Sequence, residues 1–261
     1  MISIINTPQY NLGKYLDTII KKIIPQQYML KSTNDFLSKI KSLNLSKSIN
    51  FSLVSYDVES LFTNVPLDEI IEIACKYVYN SPEKPPIDKI HFKQLLKYAT
   101  SSMFMYKDKI YKQVDGVAMG SPLGPTLANL FLANLESEWM RESCSPLQYF
   151  RYIDDIFCIF KDENNHRQFL QFLNSRHKNL KFTMEVGSSS SIAFLDVNVA
   201  LNDSKNFETS VFRKPTNTNL LLNFTSYAPS SYKKSIITCF INAAFSKCST
   251  WKTLNVESEK L

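Results

Sequence analysis

Cysteine, histidine and glycine are scarce in this 261-residue sequence, and it contains no long hydrophobic run. The longest apolar stretch, 236–245, is interrupted by Asn242, whereas a membrane-spanning helix needs about 20 apolar residues. The first ten residues have neither the basic start nor the apolar block of a signal peptide. The sequence therefore predicts neither a membrane span nor a secretory signal.

Cysteine and histidine are too sparse to predict a zinc site or a disulfide framework. The cysteines form no CxxC pair and have no histidine at metal-ligand spacing; they are Cys75, Cys144, Cys158, Cys239 and Cys248. An odd, scattered set is typical of reduced thiols, so we expect an intracellular protein without zinc. The histidines lie on polar helical stretches and are predicted to be solvated; they are His91, His166 and His177.

Apolar and aromatic residues, by contrast, are abundant enough for a packed core. Hydrophobic residues make up 44% of the chain and aromatic residues 13%, which argues against a disordered protein. The formal net charge of +6 is compatible with a polyanionic partner. Many soluble proteins that bind no nucleic acid reach the same charge, so it does not identify the partner.

Short strands and amphipathic helices alternate along the chain in a mixed order with hairpins, which predicts an α+β fold. Pro25 ends the first predicted helix and Pro66 opens the second. The helices are predicted at 11–24, 66–79, 87–103, 126–142, 163–177 and 230–245. Strands are predicted at 51–57, as hairpins at 104–113 and 149–160, and as three strands within 180–212.

Two adjacent carboxylates interrupt the almost wholly apolar hairpin at 149–160, in Tyr152-Ile153-Asp154-Asp155. Two like charges about 4 Å apart repel by roughly 4 kcal/mol at an effective dielectric constant of 20, and desolvation adds to that cost. A bound divalent cation would offset both. The alternative is an exposed turn in which aspartate simply tolerates the backbone conformation.

A further carboxylate, Asp57, lies at the C-terminal end of the predicted strand at 51–57. If the strands before Asp57 and Asp154 end at one sheet edge, their side chains converge there. Hard oxygen ligands suit Mg²⁺, which also takes substrate phosphates as ligands. Two such ions about 3.5–4 Å apart activate a hydroxyl and stabilise a leaving pyrophosphate. The alternative, an ordinary aspartate at a strand end, stays open.

Phe62 and a glycine-rich segment complete the set of candidate site residues. A bulky ring five residues beyond Asp57 could exclude a sugar 2′-hydroxyl, and the alternative is a buried core phenylalanine. Gly116, Gly120 and Gly124 precede a predicted helix and would let a base or ribose approach the backbone closely. The alternative there is a tight helix entry without a ligand.

Taken together, these motifs resemble the palm of reverse transcriptases, and most of all the Penelope-like retroelements. The order of the motifs matches, and the resemblance covers nearly the whole chain. The matching segments are Ser55 to Pro66, Gly116 to Asn129, Tyr152 to Asp155, Ala193 to Val197, and Phe212 to Thr216. The resemblance implies a right-hand polymerase palm, with an antiparallel sheet backed by helices.

The resemblance also implies a role for each candidate residue. Asp57 and Asp154 would bind two Mg²⁺ ions, for which Mn²⁺ could substitute, with Asp155 as the supporting acid and the Val58 carbonyl assisting. The residues around the nucleotide would be Phe62 as sugar gate, Met119, Gly120 and Ser121. A lysine that protonates the leaving pyrophosphate would be Lys181 or Lys178. The implied partners are an RNA template, a DNA primer and dNTPs.

Three segments are predicted from the same resemblance. Residues 1–50 would be a remnant of the fingers, 51–225 the palm with its primer-grip region, and 226–261 the start of a thumb or a C-terminal helical segment. The chain is thus expected to be a fragment of a longer element or a truncated gene product. A nuclear location is compatible with a retroelement, and no targeting signal is visible. Within the primer-grip region, Asp196 is expected to have a strand-end or turn role.

Three functions remain open from the sequence. The first is RNA-templated DNA synthesis by two-metal nucleotidyl transfer. The second is a decayed or truncated copy that is inactive and only binds nucleic acid through its basic surface. The third is an RNA-dependent RNA polymerase with the same palm, against which Phe62 argues because RNA synthesis must tolerate a 2′-hydroxyl.

Overall fold

The computed structural model describes residues 5, 7–43, 45, 51–101, 103–118, 120–140, 144–161, 163–187, 191–202, 204, 206–218 and 220–259. Within these ranges no helix is long and apolar enough to cross a membrane. All five cysteines lie within these ranges, and none of them forms a disulfide bond.

The helices begin where the sequence supplies caps. The side chains of Thr7, Ser32, Asp88 and Thr250 each accept a hydrogen bond from a backbone N–H in the first turn. The helices are α1 (Pro8–Lys21), α2 (Thr33–Ser42), α3 (Leu61–Asn64), α4 (Leu67–Asn80), α5 (Lys89–Thr100), α6 (Gly124–Trp139), α7 (Glu163–Arg176), α8 (Ser230–Lys247) and α9 (Trp251–Ser258).

Among the described residues, the strands form three sheets. They are β1 (Ser52–Val58), β2 (Met103–Tyr106), β3 (Lys109–Lys112), β4 (Gln148–Tyr152), β5 (Asp155–Phe160), β6 (Phe182–Val186), β7 (Ser191–Phe194), β8 (Val197–Leu201) and β9 (Phe207–Val211). The largest sheet has the order β4-β5-β1-β6, β2 and β3 form a hairpin, and β7-β8-β9 is an antiparallel meander. Helices and antiparallel strands in this mixed order confirm the predicted α+β class.

The chain divides into two compact units. The first comprises Met1–Met29, Asp57–Ser145 and Asn165–Thr183. In it α1 packs against α5 and α6, and α4 packs against the same two helices. A buried polar contact joins α1 to α6, because the Thr126 hydroxyl donates to the carboxylate of Asp17.

The second unit comprises Leu30–Tyr56, Pro146–Asn164 and Met184–Leu261. Its core forms around the ring of Phe36 on α2. The centroid of that ring lies 5.1 Å from the centroid of Phe157 on β5 and 4.7 Å from that of Phe194 on β7. One apolar cluster therefore contacts α2, the β4-β5 hairpin and the β7-β8-β9 meander.

Several elements differ from the sequence-based prediction. The segment 180–212 contains four strands, not three, because a turn at Leu195-Asp196 separates β7 from β8. Leu195 adopts a φ of 55° there, a conformation that apolar side chains seldom take and that sequence does not signal. The short helices α2, α3 and α9 were not predicted. His166 is buried and not solvated, so that prediction was wrong; His177 packs edge-on against Phe131.

Asp196 ties three parts of the second unit together. It lies in the β7-β8 turn, where its Oδ1 accepts a hydrogen bond of 3.1 Å from the Thr33 hydroxyl at the start of α2. Its Oδ2 forms an ion pair with Lys247, the last residue of α8. Burial alone would raise the pKa of Asp196, but the hydrogen bond and charge of Lys247, helped by Thr33, outweigh it. The pKa therefore lies below its usual value.

We expect Asp196→Asn to lower the melting temperature at pH 7 because it removes the charge that pairs with Lys247. A carboxylate whose pKa is depressed by folding stabilises the protein above its unfolded pKa of about 3.9 and loses that effect as pH falls through the folded pKa. The difference in melting temperature between wild type and variant should therefore shrink below about pH 4. Asp108→Asn, in the exposed turn between β2 and β3, is the matched control. An equal difference at both pH values would contradict the assignment.

Candidate active site

The Asp154-Asp155 pair lies at the turn of a hairpin whose strands are buried. Tyr152 pairs with Asp155, so Ile153 and Asp154 form the turn itself. β5 is fully buried after Asp155, and the three central residues of β4 are buried. Both faces of this almost wholly apolar hairpin are thus covered. The two carboxylates are partly buried, at the turn end of the hairpin.

The backbone of this turn is fixed by a buried arginine. Arg151 is 0% exposed, and its Nη1 donates a hydrogen bond of 3.0 Å to the carbonyl oxygen of Ile153. Ile153 adopts a φ of 55°, which is unfavourable for a β-branched residue. The guanidinium group therefore holds the strained residue that immediately precedes Asp154. Arg151 is a charged residue within an otherwise apolar strand, and that pattern in the sequence could have indicated its role.

Asp57 is exposed between two buried residues of β1, Tyr56 and Val58. Two residues later, the backbone N–H of Glu59 donates to the carbonyl of Lys181 at 2.9 Å. The Nζ of Lys181 returns to the Glu59 carboxylate at 3.0 Å. Of the two candidate general acids, Lys181 is thus the one that contacts the segment of Asp57, while Lys178 is exposed in the loop before β6.

Phe62 and the glycine-rich segment lie against each other. Phe62 is half-buried on α3, and its carbonyl accepts a hydrogen bond of 2.7 Å from the N–H of Val117. Gly116 has a φ of 78°, and a Cβ there would lie 2.7 Å from the carbonyl oxygen of Thr63. A Cβ on Gly124 would lie 3.8 Å from Cδ1 of the Phe62 ring. Glycine therefore permits the close approach of the two segments.

The remaining nucleotide-binding candidates are found around the start of α6. Gly120 is exposed with a φ of 92°, and Ser121 is buried, with its hydroxyl accepting a hydrogen bond from the N–H of Leu123. Met119 lies outside the described residues. Asp115 is not among the residues predicted from the sequence. Its Oδ1 accepts hydrogen bonds from the N–H groups of Leu67 and Gly116. The Asp-Gly dipeptide, a common turn signal, could have indicated it.

The proposed metal ligands are all hard oxygen donors, which is the chemistry that Mg²⁺ takes. They are the carboxylates of Asp57, Asp154 and Asp155 and the carbonyl of Val58. In the part of the chain that the structure describes, no three His, Cys, Asp or Glu side chains lie close enough together to hold a metal ion. The donor types therefore fit the ion, while an assembled three-carboxylate cluster is not seen among these residues.

The fold matches that of template-copying polymerases. The apo telomerase of Candida tropicalis gives a TM-score of 0.61 at 11% identity, covering 95% of this chain and 47% of that one. The telomerase of Candida albicans, solved with a fragment of telomeric RNA, gives 0.59 at 12% identity, covering 89% and 42%. A structure described as an RNA-dependent RNA polymerase with vp4 and dsRNA gives 0.50 at 16% identity, covering 81% and 21%. The protein thus has the palm fold of nucleic-acid polymerases, and it spans less than half the length of these relatives.

The sequence identifies the family within that class. Residues 2–187 match the family model described as reverse transcriptase (RNA-dependent DNA polymerase), which covers well over half of the chain. The chain belongs to the reverse transcriptase family, whose members are nucleotidyltransferases. No curated protein matches it closely enough to add a more specific comparison.

Gly116 and Gly13 provide a matched pair of glycine-to-alanine substitutions in the first unit. We expect Gly116→Ala to destabilise the protein by at least about 2 kcal/mol, because its φ is positive and a Cβ would collide with Thr63. At Gly13, within α1, a Cβ would meet Pro122 at an ordinary 3.7 Å. Gly13→Ala should therefore stabilise by about 0.5–1 kcal/mol. Denaturant unfolding measures both changes, and a Gly116→Ala protein as stable as wild type would refute the close approach.

Proposed function

We propose that this protein is an RNA-directed DNA polymerase domain that extends a DNA primer on an RNA template with dNTPs. The observation that carries the proposal is the Asp154-Asp155 turn, held by Arg151 at the solvent-accessible end of a buried hairpin. Membership of the reverse transcriptase family supports the same conclusion. A solvated turn would need neither a buried guanidinium nor a backbone strained at Ile153.

The carboxylates would act by binding and orienting the reacting groups. Asp57, Asp154, Asp155 and the Val58 carbonyl would hold two Mg²⁺ ions. When bound, such ions lower the pKa of the primer hydroxyl and neutralise charge on the triphosphate. The primer 3′-oxygen would then bond to the α-phosphorus, and the bond from that phosphorus to the pyrophosphate would break. The exposure of Asp57 between two buried neighbours on β1 supports this role.

Lys181 is the better candidate to donate a proton to the leaving pyrophosphate. Its ammonium group forms an ion pair with Glu59, which follows Asp57 by two residues in the sequence. Both side chains are substantially exposed, so the pair contributes little stability and can open when a triphosphate binds. Lys178 makes the alternative proton donor, and separate Lys181→Met and Lys178→Met variants would distinguish the two.

The parent protein would be a retroelement polymerase of the Penelope-like type acting in the nucleus. The segments Ser55 to Pro66 and Phe212 to Thr216 support that subtype by their similarity to it. The segments 1–50 and 226–261 would then correspond to parts of the fingers and of the thumb.

Asp154→Asn should reduce primer extension on an RNA template by at least about a hundredfold, because a neutral amide replaces a charged metal ligand while the side chain keeps its shape. Incorporation of labelled dNTPs in the presence of Mg²⁺ measures the effect, and chelation of the metal should abolish the wild-type activity. Asp68→Asn is the control, since Asp68 is an exposed aspartate whose side chain has a relative exposure of 93%. Equal extension by wild type and Asp154→Asn would disprove the proposed function.

Phe62 decides between synthesis of DNA and of RNA. We expect Phe62→Ala to raise the use of rNTPs relative to dNTPs by about tenfold, because the space beside the sugar would then admit a 2′-hydroxyl. The ratio of kcat/KM for dNTP and rNTP measures the selectivity. Phe62→Tyr keeps the ring and should keep the preference for dNTPs. Unchanged selectivity in Phe62→Ala would remove the gate role and favour a simple packing role for this side chain.

A further inference from the structure

The β2-β3 hairpin exposes large side chains on both of its faces. Among the described residues, its two strands pair only with each other. Tyr106 is 58% exposed and Ile110 is 76% exposed. An isolated two-stranded hairpin is only marginally stable in water, and large exposed apolar side chains mark a surface that binds something. The proposed polymerase chemistry uses none of these residues.

The strand register sorts the exposed side chains into two chemically different faces. Tyr106 pairs with Lys109, and Met105 pairs with Ile110. Paired residues share a face, and successive residues alternate between faces. Tyr106, Lys109 and Tyr111 therefore form one face, which we call the aromatic face. Met103, Met105, Ile110 and Lys112 form the other, mainly aliphatic, face.

The turn adds a second lysine to the aromatic face. Lys107 and Asp108 have φ values of 47° and 59°, the pattern of a type I′ turn. The Nζ of Lys107 lies 5.4 Å from the centroid of the Tyr106 ring. The aromatic face therefore combines two tyrosine rings with two ammonium groups, Lys107 and Lys109. Diagonal neighbours such as Tyr106 and Tyr111 are about 7–8 Å apart on an antiparallel pair.

We propose that the aromatic face binds single-stranded RNA, with bases stacked on Tyr106 and Tyr111 and phosphates contacting Lys107 and Lys109. Stacking on aromatic rings tolerates any base sequence, as the copying of arbitrary templates requires. The lysines supply the complementary charge for the phosphates. The choice of RNA as the occupant rests on the proposed function, in which the template is RNA.

The test measures binding of the intact chain to a fluorescent single-stranded RNA of about 12 nucleotides, without primer or dNTPs. Replacing both rings, Tyr106→Ala with Tyr111→Ala, should weaken binding at least about tenfold, since each stacked base is lost. Tyr106→Phe with Tyr111→Phe keeps the rings and should retain wild-type affinity. Tyr106→Leu with Tyr111→Leu keeps apolar bulk without a ring, and should bind as weakly as the alanine variant.

The lysines make a separate, quantitative prediction. Lys107→Gln with Lys109→Gln should reduce the slope of log affinity against log salt by about 1.4, or roughly 0.7 for each phosphate contact on a single strand. The matched control, Met105→Ala with Ile110→Ala on the aliphatic face, should leave RNA affinity unchanged. All variants alter exposed side chains, and an unchanged thermal melt verifies their folding.

Three results would overturn the inference. Wild-type RNA affinity in the Tyr106→Ala, Tyr111→Ala variant would remove the stacking role. Tighter binding of single-stranded DNA than of the matching RNA would contradict the choice of occupant. If only the Met105→Ala, Ile110→Ala variant changes behaviour, by dissociating an oligomer in sedimentation, the hairpin is a protein interface. Because this binding assay uses neither primer nor dNTPs, a failure of primer extension and a failure of this inference are distinguishable.

Discussion

The burial of the β4-β5 hairpin is the constraint on which the proposed chemistry depends. Because both faces of its central part are covered, polar groups reach solvent at its ends, and the carboxylates occur at the turn end. The same burial makes Arg151 a costly residue, since an uncompensated guanidinium in the interior is strongly destabilising. The hydrogen bond from Arg151 to the Ile153 carbonyl offsets part of that cost, and this bond depends on the conformation of the turn. The core around Phe36, which packs on this hairpin, therefore also positions Asp154.

The elements with strong periodicity were predicted well, because amphipathic spacing is a local property of the sequence. Helix α4, the β2-β3 hairpin and the β4-β5 hairpin fall within a few residues of their predicted bounds. The misses follow from backbone conformations that sequence does not signal. Ser60 and Leu195 have φ values of 51° and 55°, where glycine would normally be expected. One precedes the unpredicted helix α3, and the other separates the strands β7 and β8.

The candidate site was predictable where it consists of local motifs and unpredictable where it depends on contacts between distant residues. Asp57 and Asp154 follow from strand patterns and from the family resemblance. The pairing of Lys181 with Glu59 joins residues far apart in sequence, and so does the support of Leu67 by Asp115. For His166 the prediction was wrong for a similar reason. The polar helical stretch suggested a solvated ring, but the packing of α7 buries it.

The interleaving of the two compact units has a consequence for how this gene can be divided. The chain passes between the units five times, at positions 29, 56, 145, 164 and 183, so each unit is assembled from three separate stretches. No single crossover between two related genes can exchange one unit intact, and no single proteolytic cut can release one. Contacts between such distant stretches also delay folding, because long loops must close before they form. We therefore expect the region from residue 8 to residue 258 to be inherited and to fold as an indivisible whole.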